Sequence, residues 1–312
     1  SVLGPILFIL YTADLVALIE SHGLSPHLYA ADAQILGSCC PTDTALLRPR
    51  METCIADVGR WMSSNRLQLN TSKTEVMWFS SARRRHQVPA DCFVVGPDSV
   101  QPIDCVRDLG LYLDTTMSMR EHISRLTSTC FGVLRQIRTI RRCLTSRARN
   151  TLVTCFVFAR LDYCNSAFAG LSRCDLDRLQ AVQNAAVRLV AGARKYDHVT
   201  PLLRDKHWLP VEQRIHFKIA VTVYKCLHGL SADYLSDFTR PSTASTISQR
   251  LRSADRQQLY VPRSNTRMGD RSFAVAGPST WNRLPATVTA APSLAVFKKQ
   301  LKTFLFREAY SV

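Results

Sequence analysis

Lysine is scarce in this 312-residue sequence, with 8 residues against 32 arginines. No two of its 11 cysteines stand at C-x-x-C spacing, and the histidines near Cys226 complete no zinc pattern. The sequence opens on Ser1, and no basic segment precedes the first apolar run, so a signal peptide is not expected. The chain is instead expected to begin inside a longer protein. The apolar run itself, Val2 to Ile19, is interrupted by Gly4, Pro5 and Asp14, which speaks against a membrane span. No fixed-period repeat is visible, and no small-molecule cofactor motif is apparent. With neither secretory segment nor metal spacing, the cysteines are expected as reduced thiols acting as small core hydrophobes. Such a protein belongs in the nucleus or cytoplasm and is not secreted.

What is present reads as globular: 46% hydrophobic, 21% charged, mean hydropathy −0.04. The formal net charge is +16 and is unevenly placed. Residues 1–80 hold 5 basic and 7 acidic side chains (−2), whereas 81–312 hold 35 and 17 (+18). The planar arginine fork matches phosphate geometry, so an arginine-weighted excess suits a nucleic-acid partner, although a GC-rich genome would inflate arginine too. A near-neutral head on a basic body suggests a catalytic piece joined to a polyanion-gripping piece.

Patterning predicts an α+β chain. Ser1–Ser21 reads as a Gly-Pro turn followed by an apolar helix, and His27–Gly37 as a hairpin. Leu47, Met51, Cys54, Ile55, Val58, Trp61 and Met62 recur at helical spacing, with Pro49 either opening that helix or kinking it. Strands are expected at 67–70, 74–79, 92–95 and 109–113. From Met119 helices take over. Ile123, Leu126, Cys130, Val133, Leu134, Ile137 and Ile140 make one apolar stripe, and arginines lie mostly off it. Thr145 is placed to cap a second helix, and Asp175 to cap a third that stops at Gly192. Pro210 and Gly229 bracket a fourth, and Ser293 caps a last amphipathic helix. Residues 239–270, rich in Ser, Thr and Arg, are the expected flexible linker.

The chemistry centres on His27-Leu28-Tyr29-Ala30-Ala31-Asp32-Ala33-Gln34-Ile35. A tight hairpin turn projects carboxylates into a small volume, which two-metal nucleotidyl transfer requires. Taken alone, a single aspartate in such a turn is more often simply a turn former. The order of motifs decides further. Ser1-Val2-Leu3-Gly4-Pro5, then Tyr29-Ala30-Ala31-Asp32, resembles the reverse transcriptase of LINE-type non-LTR retrotransposons, which typically read Ser-Val-Leu-Gly-Pro and later Tyr-Ala-Asp-Asp. Leu67-Gln68-Leu69-Asn70 with Lys73-Thr74-Glu75, and Asp108-Leu109-Gly110-Leu111-Tyr112-Leu113-Asp114, are similar to the family in the same order. Ala181-Val182-Gln183-Asn184-Ala185-Ala186 and Trp281-Asn282-Arg283-Leu284-Pro285 extend the resemblance to the tail.

The resemblance implies a partial polymerase palm over 1–117, with helices packed on a small antiparallel sheet. A mainly helical thumb with its following helices would cover 118–238, then the linker 239–270 and a C-terminal helical segment over 271–312. Asp32 would be the catalytic, metal-binding carboxylate, and Mg²⁺ the implied ion. Lys73 would be the palm lysine that neutralises departing pyrophosphate, or else a solvated strand-edge lysine. Leu109, Gly110, Leu111 and Tyr112 would form the primer grip. Arg135, Arg138, Arg141, Arg142, Arg147 and Arg149 would hold the phosphate backbone of an RNA template and its RNA/DNA duplex, or simply face solvent. Ala31, however, stands where the family has the first aspartate of its pair, and a methyl group ligates no hard cation. The upstream palm carboxylate is absent from the sequence. The expectation is therefore a reverse-transcriptase segment without catalysis, or a nucleic-acid-binding protein derived from one.

Overall fold

The computed structural model describes residues 3–241 and 258–311. Inter-residue contacts divide the chain into two units, Ser1–Ser118 and Met119–Val312, each considered by itself.

The first unit begins with two apolar helices, α1 (Leu3–Tyr11) and α2 (Asp14–Ser21). Gly4 and Pro5 do not form a turn before the helix but lie in the first turn of α1, where the missing proline N–H costs no hydrogen bond. The break falls at Thr12 and Ala13 instead, and Thr12 Oγ1 donates back to the Phe8 carbonyl. By length and composition the stretch Leu3–Ser21 is apolar enough to cross a membrane. α2 spends its apolar face otherwise: Leu15 and Ile19 join Leu24, Leu47, Cys54 and Val58 in a buried core. Leu3, Ile6, Leu7, Ile9 and Leu10 of α1 remain exposed.

α3 (Thr44–Ser64) starts earlier than its apolar pattern suggests, so Pro49 is interior and not the opening residue. Its Arg48 and Glu52 form an i,i+4 ion pair. Each also reaches the neighbouring strand, Arg48 donating to the Cys92 carbonyl and Glu52 accepting from the Val94 N–H.

One small sheet was expected; three separate antiparallel pairs are found. They are β1 (Ser25–Tyr29) with β2 (Asp32–Leu36), β3 (Phe93–Val95) with β4 (Asp98–Val100), and β5 (Cys105–Asp108) with β6 (Leu111–Asp114). The strands expected at 67–70 and 74–79 do not form, save for an isolated parallel bridge from Val76 to Pro102. Local hydrogen bonding explains the loss. The Asn70 carbonyl accepts from the Lys73 N–H and the Thr74 hydroxyl, while Ser72 bonds the Asn70 side chain, folding 71–73 into a 3₁₀ turn.

The second unit is helical. α4 (Arg120–Thr139) buries Ile123, Leu126, Cys130, Leu134 and Ile137. Thr145 caps α5 (Ser146–Val153), its hydroxyl accepting from the Ala148 N–H. A π-helical turn over Thr154–Phe158 carries α5 into α6 (Ala159–Asp162). α7 (Arg173–Ala191) is capped by Ser172, three residues before the expected Asp175; the Ser172 hydroxyl accepts the Asp175 N–H and donates to the Asp175 carboxylate. Gly192, in left-handed conformation at φ 71°, ends it as expected.

α8 (Val199–Asp205) leads to α9 (Val211–Leu227), against which α7 packs. Fully buried Gln183 donates to the Leu209 carbonyl, and Gln180 accepts the Val211 N–H, satisfying a donor at the start of α9. α10 (Asp233–Ser236) and α11 (Arg267–Arg271) flank the stretch 242–257, half of the expected linker 239–270, which lies outside the described residues. The described end of that stretch is packed: Leu259 is buried, and the Asn282 side chain bonds both its N–H and its carbonyl. α12 (Phe273–Asn282), α13 (Ala286–Thr289) and α14 (Leu294–Tyr310) complete the unit. Ser293 caps α14, which packs on α9 through Phe297 stacked on Tyr224 at 4.4 Å.

Candidate active-site hairpin and basic helix

β1 and β2 pair in a register that sets Tyr29 opposite Asp32, leaving Ala30 and Ala31 as a two-residue loop. Ala30 takes φ 51°, while Ala31 does not adopt positive φ, which is the II′ pattern favoured between twisted strands. Tyr29 and Asp32 are both exposed beside the loop. Position 31, where a second carboxylate would stand, presents a methyl group to solvent. No group of three or more His, Cys, Asp or Glu among the described residues is placed to hold a metal ion. Hard cations need several oxygen ligands, so the donors among the described residues do not by themselves fit a two-metal centre.

The β5–β6 hairpin has the same two-residue construction, with Asp108 opposite Leu111. Here both loop residues, Leu109 (φ 43°) and Gly110 (φ 87°), take positive φ, the I′ pattern. The segment 109–113 is therefore a turn running into a strand, not one continuous strand. Leu109 and Gly110 are exposed, Leu111 and Tyr112 half-buried, and the Arg107 guanidinium lies 5.9 Å from the Tyr112 ring centre.

A hydrogen bond joins the two hairpins. Gln34, two residues past Asp32 and so on the same face of β2, donates from Nε2 to Asp108 Oδ1 at 2.6 Å. The partners are 74 residues apart in sequence, and nothing in the motif pattern pointed to Gln34. At the far end of β6, Asp114 accepts from the N–H and hydroxyl groups of both Thr116 and Ser118. Burial pushes its carboxyl up, but those four bonds outweigh it and hold the carboxyl below its ordinary value. Lys73 ends the 3₁₀ turn with an exposed side chain, in place of the expected strand edge. It forms no ion pair with Asp32.

In the second unit, Arg135 and Arg138 occupy the exposed side of α4, opposite the buried stripe, and Arg141, Arg142 and Arg147 follow on the surface. Arg125 pairs with Glu121 at i,i+4, whereas those five arginines have no acidic side chain within ion-pairing distance among the described residues. Arg149 differs from the expectation for it. It is half-buried, and its Nε is enclosed without a hydrogen-bond partner, because it lies on the inner side of α5.

No family model matches the chain, and no solved structure matches it. Over 225 residues it is 28% identical to a probable RNA-directed DNA polymerase from transposon BS of Drosophila melanogaster, an alignment covering 69% of this chain and 24% of that protein. The chain is thus similar to a probable transposon RNA-directed DNA polymerase, which supports the reverse-transcriptase resemblance. It spans about a quarter of the length of the relative it matches. The reverse transcriptase resemblance carried by the ordered motifs is thus borne out at the level of the family, and its α+β character at the level of the fold.

Proposed function

We propose that this chain is a nucleic-acid-holding portion of a retrotransposon reverse transcriptase. Residues 1–117 are palm-derived, and the helices from α4 act as the thumb that grips an RNA template and its RNA/DNA duplex. The observation that carries this reading is the set of five exposed arginines in and after α4, without an ion-paired acidic side chain among the described residues. Phosphate contacts of that kind fix a duplex without reading its sequence. A second reading, a binding protein that does no nucleotidyl transfer, is favoured by Ala31, which removes an oxygen ligand from the loop where the family places its metal-binding pair.

Purified chain mixed with primed RNA template tests both. Salt-dependent, sequence-independent retention of the RNA–DNA duplex is expected, without added nucleotides in Mg²⁺ or Mn²⁺. Primer extension would overturn the loss of catalysis. Absence of duplex retention would overturn the proposed grip.

A further inference from the structure

The loop between α7 and α8 carries a Tyr196 side chain that is 86% exposed, more than any other large apolar or aromatic side chain among the described residues. Such a ring in a floppy loop would carry no meaning, but this turn is fastened from beneath. Arg188, one turn before the end of α7, donates from Nε and Nη2 to the Asp197 carbonyl at 3.3 and 3.1 Å. The Asp197 carboxylate accepts the Arg194 N–H at 2.7 Å, and the Asp197 N–H returns a bond to the Arg194 carbonyl at 3.3 Å. Gly192 turns the chain out of α7 just before this clamp. The clamp therefore closes over residues 194–197, and the two residues it holds out are Lys195 and Tyr196.

Their chemistry is complementary to a strand of nucleic acid. The Lys195 ammonium lies 5.3 Å from the Tyr196 ring centre, a cation–π distance. Arg194, Lys195 and Tyr196 are all exposed, and Asp197 is the only acidic residue from 188 to 198. An aromatic face flanked by cations is the arrangement that stacks an unpaired base while holding its phosphates. A base paired within a continuous duplex offers no free face to such a ring.

We propose that the Arg194–Asp197 turn is a second nucleic-acid site, in which Tyr196 stacks on an unpaired base and Arg194 and Lys195 hold the adjoining phosphates. The ligand class is single-stranded RNA or DNA, distinct from the duplex assigned to α4. The choice of nucleic acid over other anions rests on the reverse-transcriptase reading; the turn itself does not depend on α4. Asp197 serves as a positioning residue through its two bonds to Arg194.

The test uses the full chain and a 12-nucleotide oligouridine carrying one 5-iodouridine. Ultraviolet cross-linking should join the probe to Tyr196, identified by peptide mass spectrometry. Tyr196→Ala should weaken oligouridine binding about 5- to 150-fold, the range for removing one base–aromatic stack, and Tyr196→Phe should restore it. Both substitutions are at an exposed side chain, and an unchanged melting temperature serves as the control for folding. Cross-links confined to other residues, or equal affinity for Tyr196→Ala and the parent chain, would overturn the site. Duplex binding measured alongside separates the two readings. Duplex binding lost on reversing Arg135, Arg138 and Arg142, with oligouridine binding unchanged in Tyr196→Ala, keeps the α4 grip and rejects this site; oligouridine binding lost in Tyr196→Ala, with duplex binding unchanged by the arginine reversals, keeps this site and rejects the grip.

Discussion

The grip assigned to α4 predicts a particular dependence on salt. Five arginines, Arg135, Arg138, Arg141, Arg142 and Arg147, are exposed and have no acidic partner among the described residues. If each neutralises one phosphate of an RNA–DNA duplex, counterion release gives log affinity against log salt a slope of about −4.5, at roughly −0.9 per contact. Raising salt from about 50 to about 200 mM, a fourfold change, then weakens binding by about 500-fold. Reversing Arg135, Arg138 and Arg142 to Glu removes three contacts and should flatten the slope to about −1.8, so the same salt step costs only about 12-fold. The absolute affinity of the variant falls further, because three repelling carboxylates now face the backbone. The three side chains point away from the buried stripe, so the fold should persist, as a melting curve would verify. Fluorescence anisotropy of a labelled duplex over a salt series reads both quantities. A parent slope near zero would refute the reasoning, and so would a triple variant whose slope equals the parent's.

The remaining expectations concern both units. Placed behind an intact N-terminal half of a related polymerase, the segment should extend primers only with Ala31→Asp, since an absent ligand removes stabilisation of attacking and leaving oxygens alike; equal extension with Ala31 would refute this. Ala30→Gly should stabilise the β1–β2 hairpin by up to about 1 kcal/mol, measured by hydrogen exchange, because alanine pays for its φ of 51° and glycine does not. The lowered Asp114 carboxyl contributes stability that is present above its unfolded value and lost as pH falls through its folded one, so Asp114→Asn should flatten the acid limb of the melting-temperature profile. Burial pushes the Cys130 thiol up to about 11, only partly offset by Arg160, so iodoacetamide at neutral pH should label exposed Cys143, Cys155 and Cys174 while sparing Cys130.

The parts of this fold legible in the sequence are those set by short-range periodicity or by a single capping residue. The α4 stripe is an example: Ile123, Leu126, Cys130, Leu134 and Ile137 recur every three or four residues and are buried, while Val133 is half-buried and Ile140, just past the helix end, is exposed. Thr145 and Ser293 cap the helices they were expected to cap, and the Tyr29–Asp32 hairpin forms as read. Where expectation failed, a local competitor won. Strands were expected at 67–70 and 74–79, but the Asn70 carbonyl between them is satisfied within a turn by the Lys73 N–H and the Thr74 hydroxyl. What escaped altogether depends on distant partners. The Gln34–Asp108 bond between the hairpins and the Asn282 clasp on Leu259 have no sequence pattern.

The candidate site shows why fold and chemistry can part company. The β1–β2 turn is specified by strand pairing on either side and by one unusual backbone angle, at Ala30. Position 31 bears neither demand, since its φ is ordinary and its side chain is exposed. A carboxylate there would serve a ligand and contribute nothing to the turn, and a methyl group costs the turn nothing. Folding therefore places no visible restraint on residue 31, and the metal-ligating role that the family resemblance implies there would depend on the side chain alone. The arginines after α4 stand in the same position, exposed and without structural partners, yet there the charged side chains are present. The surface chemistry of this chain is consistent with holding a polyanion, which is the role proposed for it.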